Sequence, residues 1–482
     1  MLNKSARQLH IEFTQGKLTA EEIIRFYLDR IKKHNENLGA FLSVFENEAI
    51  EKAKALDVKK AQGAPLGKLA AIPIAVKDNI LVKGHKSTCG SKMLENYVAP
   101  YSGSFIQEIE KEDAIIIGKT NLDQFGMGSS NENSIFGPSL NPWNLKCSPG
   151  GSSGGSASAV AARLVPIALG TDTGGSVRQP ASFCGTYGFK PTYGRTSRFG
   201  VIAFGSSLDQ IGTFANYAED ISLIMEVAGK HCPHDATSLP IPKENYLDKS
   251  VDFKNLKIGI PQHFIDNLPA ETKEVFKKSI EQAREAGAQI VDVSLKLIDY
   301  AIAVYYILST AEASTNLARF DGIRYGHRST EAKNLKDIYR LSRKEGFGTE
   351  VKRRILLGTF VLSAGYKDAF YKKAQKVRKL IIEEFKTAFK DCDLIALPTS
   401  LTPAFEIGSI VDPLTMYKSD SCTISTNLAG LPAISCPAGF SKDNKPMGIQ
   451  FLGPQTHDAF VCQAAQAFEK INSSHAQIPS LV

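Results

Sequence analysis

Apolar positions fall along the chain in two patterns, at helical spacing and in short unbroken runs. Thr19, with Glu22 three residues on as its capping partner, precedes Ile23, Ile24, Tyr27, Leu28 and Ile31, so the chain is expected to open with an amphipathic helix. Residues 72–76 (IPIAV) stop at Lys77-Asp78-Asn79, and residues 114–117 stop at Gly118-Lys119-Thr120. Both read as buried strands with polar C-terminal ends. An Ala-rich helix over about 156–164 and a strand at 167–169 follow, and residues 257–260, 270–286 and 289–293 repeat strand, helix, strand. Late strands are expected at 394–397 and 448–452, and a last helix opens near His457 and Asp458. Strands that alternate with helices predict an α/β fold. Residues 333–386 read as helical and basic, and the basic residues read as a solvated face because apolar residues interleave at helical spacing.

Composition narrows the class. The 482 residues are 43% hydrophobic and 22% charged, the balance of a soluble globular protein rather than a collagen, a disordered chain or a disulfide miniprotein. A net charge of +7 over that length is no nucleic-acid footprint. The apolar stretch 157–169 contains Arg163 and Pro166 and is too short to span a bilayer, so no membrane span is expected. The first eight residues turn polar at once, so no secretion signal is expected. Eight scattered cysteines without a C-x-x-C pair read as reduced thiols of a cytoplasmic protein. His231-Cys232-Pro233-His234 lacks a fourth ligand nearby and reads as a surface loop, so no metal is assigned.

The candidate chemistry lies between Lys146 and Gln210, where Gly-Gly pairs fall at 150/151, 154/155 and 174/175. Glycine at that density lets a backbone turn sharply and approach a ligand closely. A P-loop ending in Gly118-Lys119-Thr120 fails because Asp113 stands where the pattern needs glycine. Gly150-Gly151-Ser152-Ser153-Gly154 fits G-x-S-x-G, but residues 144–149 before it are no strand, which argues against an α/β-hydrolase. Cys184 has Ser182 two positions before it, unlike the glycine-flanked cysteine of a cysteine glutaminase, which favours serine as nucleophile. No histidine occurs between His85 and His231, which argues weakly against a histidine base. A buried lysine has a lowered pKa and can act as a neutral base. Lys77, Ser152 and Ser176 could meet where strands of an open sheet end.

The segment from Gly150 to Thr192, GGSSGGSASAVAARLVPIALGTDTGGSVRQPASFCGTYGFKPT, resembles the signature of the amidase-signature family, and the similarity extends over essentially the whole chain. The resemblance implies one domain with a mixed central sheet covered by helices on both faces. Its parts would be N-terminal helices over about 1–65, a signature core over about 66–215 and a substrate-pocket part over about 250–482. It implies a Ser-Ser-Lys set with Ser176 as nucleophile, Ser152 as bridge after a cis Gly151–Ser152 bond, and Lys77 as base. Backbone N–H groups of Thr173, Gly174 and Gly175 would hold the oxyanion. Asp172 and Arg178 are expected to brace this loop.

Residues 193–210, Glu312-Ala313-Ser314 through Gly322, and 426–432 are most similar to the branch of glutaminase subunits of tRNA-dependent amidotransferases. That branch implies hydrolysis of L-glutamine and delivery of ammonia to a kinase/transamidase partner. There ATP and Mg²⁺ activate Glu-tRNA(Gln) or Asp-tRNA(Asn), and a third, small component bridges the two. This chain itself would bind no cofactor. Arg354 would meet the α-carboxylate of glutamine and Asp420 its α-ammonium, with Tyr305 lining the pocket; Arg353 and Tyr306 are the neighbouring alternatives. A stand-alone amidase acting on a small neutral amide is the other reading of the same signature.

Overall fold

The unbroken apolar runs fold as neighbouring strands of one sheet, buried on both faces. The computed structural model describes residues 1–247 and 251–481. Among these residues the strands are β1 (Phe41–Val44), β2 (Pro73–Lys77), β3 (Ile115–Thr120), β4 (Ile167–Asp172), β5 (Tyr187–Lys190), β6 (Gln210–Ala215), β7 (Lys257–Ile260), β8 (Gln289–Asp292), β9 (Leu394–Pro398), β10 (Ala433–Phe440) and β11 (Pro446–Leu452). They pair in the order β1-β3-β2-β4-β6-β5-β10-β11-β9-β7-β8. β3, β2 and β4 are mutually parallel, as are β8, β7 and β9, and antiparallel pairs join the two groups into a mixed sheet. Every residue of β2, β3, β4, β5, β6 and β9 is buried, so both faces of the sheet are covered. Helix Gly154–Ala161 packs on β2 and β4, and helix Asp458–Ile471 on β10. One hydrophobic cluster runs from Ala6 to Phe468.

Several elements differ from the sequence expectation. The capped helix is Ala20–Leu38, with Ile23, Ile24, Tyr27, Leu28 and Ile31 buried, but a nine-residue helix, Ala6–Thr14, precedes it with its own Ser5–Gln8 capping box. The Ala-rich helix begins at Gly154 and ends at Ala161, because Arg163 turns left-handed with φ of 54°. β1, β5, β6 and β10 gave no clear apolar run. β5, β6 and β10 carry Gly188, Gly212, Thr213 and Pro437 among their core residues and are recognisable only by their pairing.

The polar ends of the early strands are as deeply buried as their apolar middles. Lys119, at the end of β3, places Nζ 2.8 Å from Asp78 Oδ1 and donates to Ser87 Oγ at 2.9 Å, with no exposure of its own. Removing one partner of such a pair leaves a charge without compensation. Lys119→Met is therefore expected to lower unfolding stability by about 3–5 kcal/mol, measured as a shift of the denaturation midpoint; an unmoved midpoint would show that the pair contributes nothing. Among the described residues no helix is long and apolar enough to cross a membrane, and all eight cysteines are buried free thiols.

Candidate active site

β2 and β4 run parallel with Val76 opposite Leu169, so their C-terminal ends open at the same edge of the sheet. Lys77 ends β2, and Asp172 ends β4 just before the turn that carries Ser176. The glycine segment leads into helix Gly154–Ala161, which brings Ser152 and Ser153 to the same edge. There Lys77 Nζ lies 2.8 Å from each of Ser152 Oγ, Ser153 Oγ and Thr171 Oγ1. Its side chain is fully buried, and burial pushes the ammonium down to about 7 against the opposing pull of Asp123, Asp172 and Asp209. The Gly151–Ser152 peptide is cis.

Asp172 holds the serine turn from inside. Its carboxylate accepts the N–H groups of Gly175 (2.8 Å) and Val177 (3.2 Å), Asn427 Nδ2 (2.8 Å) and Arg178 Nε (3.2 Å). Burial alone would raise this carboxyl, but the Arg178 charge and the hydrogen bonds outweigh it and hold the pKa at about 2. The bracing expected of Asp172 and Arg178 is thus present. Gly175 departs from expectation, because its N–H is occupied by Asp172, whereas those of Thr173, Gly174 and Ser176 have no acceptor among the described residues. Gly174 packs against the Tyr305 ring, and a Cβ on Gly175 would fall 2.1 Å from Thr423 Oγ1, so no side chain fits there. From residue 147 to residue 184, Ser176 is the only one that is not buried.

Of the three residues taken from the resemblance, Tyr305 touches this turn directly at Gly174, and Asp420 is linked to it through Thr423. Arg354 is buried, with its guanidinium 5.2 Å from the Tyr306 ring and 5.5 Å from that of Tyr417. Its Nε donates to Glu350 Oε1 at 2.8 Å, which leaves the Nη edge open for an anion. Arg353 is more exposed than Arg354 and pairs with the same Glu350, and both arginines line the cavity beside them. The two tyrosines are not alternatives: Tyr305 backs Gly174, while Tyr306 stacks on Tyr417 at 4.0 Å. Asp420 is buried and accepts the Ser129 hydroxyl at 2.7 Å. Burial raises its carboxyl to about 7, against the lowering effect of that hydrogen bond and of Arg354. A cavity of about 230 Å³ is lined by Arg353, Arg354, Glu350, Ser130, Glu132 and Tyr417 among others, while Asp420, Tyr305 and Ser176 are not part of its lining.

Sequence reasoning missed Ser153, Thr171, Ser129 and Glu350. The stretch Gly126-Met127-Gly128-Ser129-Ser130 has the glycine–serine density that singled out 150–155, and it was the available signal for Ser129. Nothing local marks Glu350. Among the described residues no group of three His, Cys, Asp or Glu side chains is arranged to hold a metal ion.

The Amidase family model matches residues 22–462, most of the chain. The chain belongs to the Amidase family. A glutamyl-tRNA(Gln) amidotransferase subunit from Protochlamydia amoebophila (strain UWE25) is 59% identical, with 100% of this chain and 99% of the relative aligned. The crystal structure of the Thermotoga maritima protein of the same name is 39% identical, with a TM-score of 0.81 over 97% of this chain and 98% of that one. A bacterial aryl acylamidase of the amidase signature family superposes with a TM-score of 0.86 at 25% identity, covering 99% of this chain and 98% of that one. For this family member the access at Ser176 gives a direct test. A serine-directed sulfonyl fluoride is expected to label Ser176 alone, and Lys77→Met to slow labelling by at least about tenfold, as read by peptide mass spectrometry. Label on Ser152 or Ser153 instead would put the reactive hydroxyl elsewhere.

Proposed function

We propose that this chain hydrolyses L-glutamine as the glutaminase component of a tRNA-dependent amidotransferase and passes ammonia to a partner chain. One observation carries the reading: a buried guanidinium, Arg354, and a buried carboxyl, Asp420, are tied to the serine turn, Arg354 through Tyr306 and its neighbour Tyr305 on Gly174, Asp420 through Thr423, which donates to the carbonyls of both Gly174 and Asp420. A zwitterionic amino acid uses both charges, while a neutral amide uses neither and leaves both to be desolvated without gain.

In this reading neutral Lys77 takes the Ser152 proton as Ser152 takes that of Ser176, whose Oγ bonds to the carboxamide carbon. The free N–H groups of Thr173 and Gly174, with that of Ser176, receive the oxyanion, while the Gly175 N–H keeps the turn in shape through Asp172. The proton returns through Ser152 to the departing nitrogen, the C–N bond breaks and ammonia leaves an ester on Ser176. Water then attacks the ester along the same proton path, releasing glutamate and restoring the hydroxyl. Arg354 pairs with the α-carboxylate, Asp420 with the α-ammonium, and Tyr305 lines the space between them. The names of the relatives support Glu-tRNA(Gln) as acceptor. Because ammonia serves Asp-tRNA(Asn) equally, the choice belongs to the partner. ATP and Mg²⁺ chemistry is assigned to the kinase/transamidase partner, joined to this chain by a small bridging component, and the site of action to the cytoplasm.

Ammonia release by the chain with its partners is expected from L-glutamine, to vanish in Ser176→Ala, and to be negligible from neutral small amides. Free ammonia should still support transamidation by Ser176→Ala. Hydrolysis of neutral amides but not of glutamine would replace this reading with a stand-alone amidase. Arg354→Ala should raise the KM for glutamine about 10- to 100-fold, while Arg353→Ala leaves it unchanged; the reverse would exchange the two roles. Lys77 carries its proton below its lowered pKa and accepts one only above it, so kcat/KM should rise with pH and level off above about 7. A profile flat from pH 5 to 9 would remove Lys77 as the base.

A further inference from the structure

Two stretches that mark the family branch, 206–210 and the helix residues around Glu312 and Asn316, take no part in the reaction above. They meet in the fold. Ser207 donates through its N–H and Oγ to Glu312 (2.8 and 2.6 Å), and Asn316 Nδ2 donates to Phe204 O and Ser206 Oγ (3.1 and 2.9 Å). Arg378 donates to Ser207 Oγ and O (2.9 and 3.1 Å). Residues 204–209 are thereby pinned to helices Ala301–Asn316 and Lys373–Ala388. At the end of this strap the buried Asp209 accepts the N–H groups of Phe204 (2.9 Å) and Gly205 (3.1 Å) and the hydroxyl of Thr173 (2.7 Å).

Thr173 opens the turn whose free N–H groups face the reacting carbonyl in the reading above, on which this inference rests. The C-terminal side of those groups is fixed twice, by Asp172 on the Gly175 N–H and by Thr423 Oγ1 donating to Gly174 O at 2.7 Å. On the N-terminal side the Thr173 hydroxyl is the side-chain anchor, and Asp209 is its acceptor. We propose that Asp209 is a positioning residue for glutamine hydrolysis: through Thr173 it sets the direction of the oxyanion-binding N–H groups, with Glu312, Asn316 and Arg378 holding it in register. Preorganised donors lose effect steeply when their geometry loosens. In Asp209→Asn an amide NH₂ would replace one acceptor that now faces backbone N–H groups.

The test measures kcat and KM for glutamine with the chain in complex with its partners, for Asp209→Asn, Thr173→Val, Thr173→Ser and the double variant Asp209→Asn/Thr173→Val. Asp209→Asn and Thr173→Val are each expected to lose about tenfold or more in kcat, with KM within about twofold. Thr173→Ser should recover most of what Thr173→Val loses, and the double variant should be no slower than the slower single one, because both substitutions break the same link. Full kcat in either single variant, an additive double variant, or a raised KM at unchanged kcat would overturn the proposal. If Asp209→Asn does not fold, Thr173→Val alone decides, with full kcat counting against. An unsubstituted complex without Ser176-dependent glutamine hydrolysis would overturn the functional reading itself; an active one with unaffected variants overturns only this inference.

Discussion

The site depends on one unfavourable placement, an amine without exposure at the end of a central strand. A fully buried lysine with no carboxylate in direct contact among the described residues loses more from desolvation than its neighbours return, and so it is held near neutrality. Three hydroxyls at 2.8 Å satisfy it without fixing its charge, which is the condition for accepting a proton. Much of the surrounding sequence follows from keeping that amine dry. Parallel strands flank it, a helix rich in Gly and Ala packs directly on them, and the turn above is tight enough that only Ser176 reaches open space.

Carboxyls near the same turn have been driven apart by their surroundings. Asp172 receives a guanidinium and several N–H donors and is held at about 2, whereas Asp420 and Asp209, with fewer compensating partners, rise to about 7 and about 6. A permanently ionised Asp172 suits a structural brace. Asp420 can gain its full charge as a cation arrives, which suits a binding group. Arg354 is prepared in the complementary way, fixed through Nε by Glu350 and walled by aromatic rings, with its Nη edge free.

Part of this was legible in advance. The apolar runs 72–76 and 167–169 identified buried core strands, and glycine pairs marked the turns, because burial and backbone freedom leave local traces in composition. The family signature then supplied roles for Lys77, Ser152 and Ser176. Strands such as β5 and β10 left no such trace, since their burial comes from antiparallel partners far away in sequence.

By itself, then, the sequence determined the α/β alternation and the glycine turns, features set by contacts within a few positions, while the family resemblance pointed to the three central polar residues. The tertiary structure alone decided that Arg354 is buried while Arg353 is exposed, that Tyr305 packs on Gly174 and Tyr306 on Tyr417, that the Gly175 amide belongs to Asp172, and that Asp209 reaches Thr173. Each of these depends on the phase of a helix face or on a hydrogen bond between residues distant in the chain or folded back within a turn, and neither leaves a mark on the residues beside it.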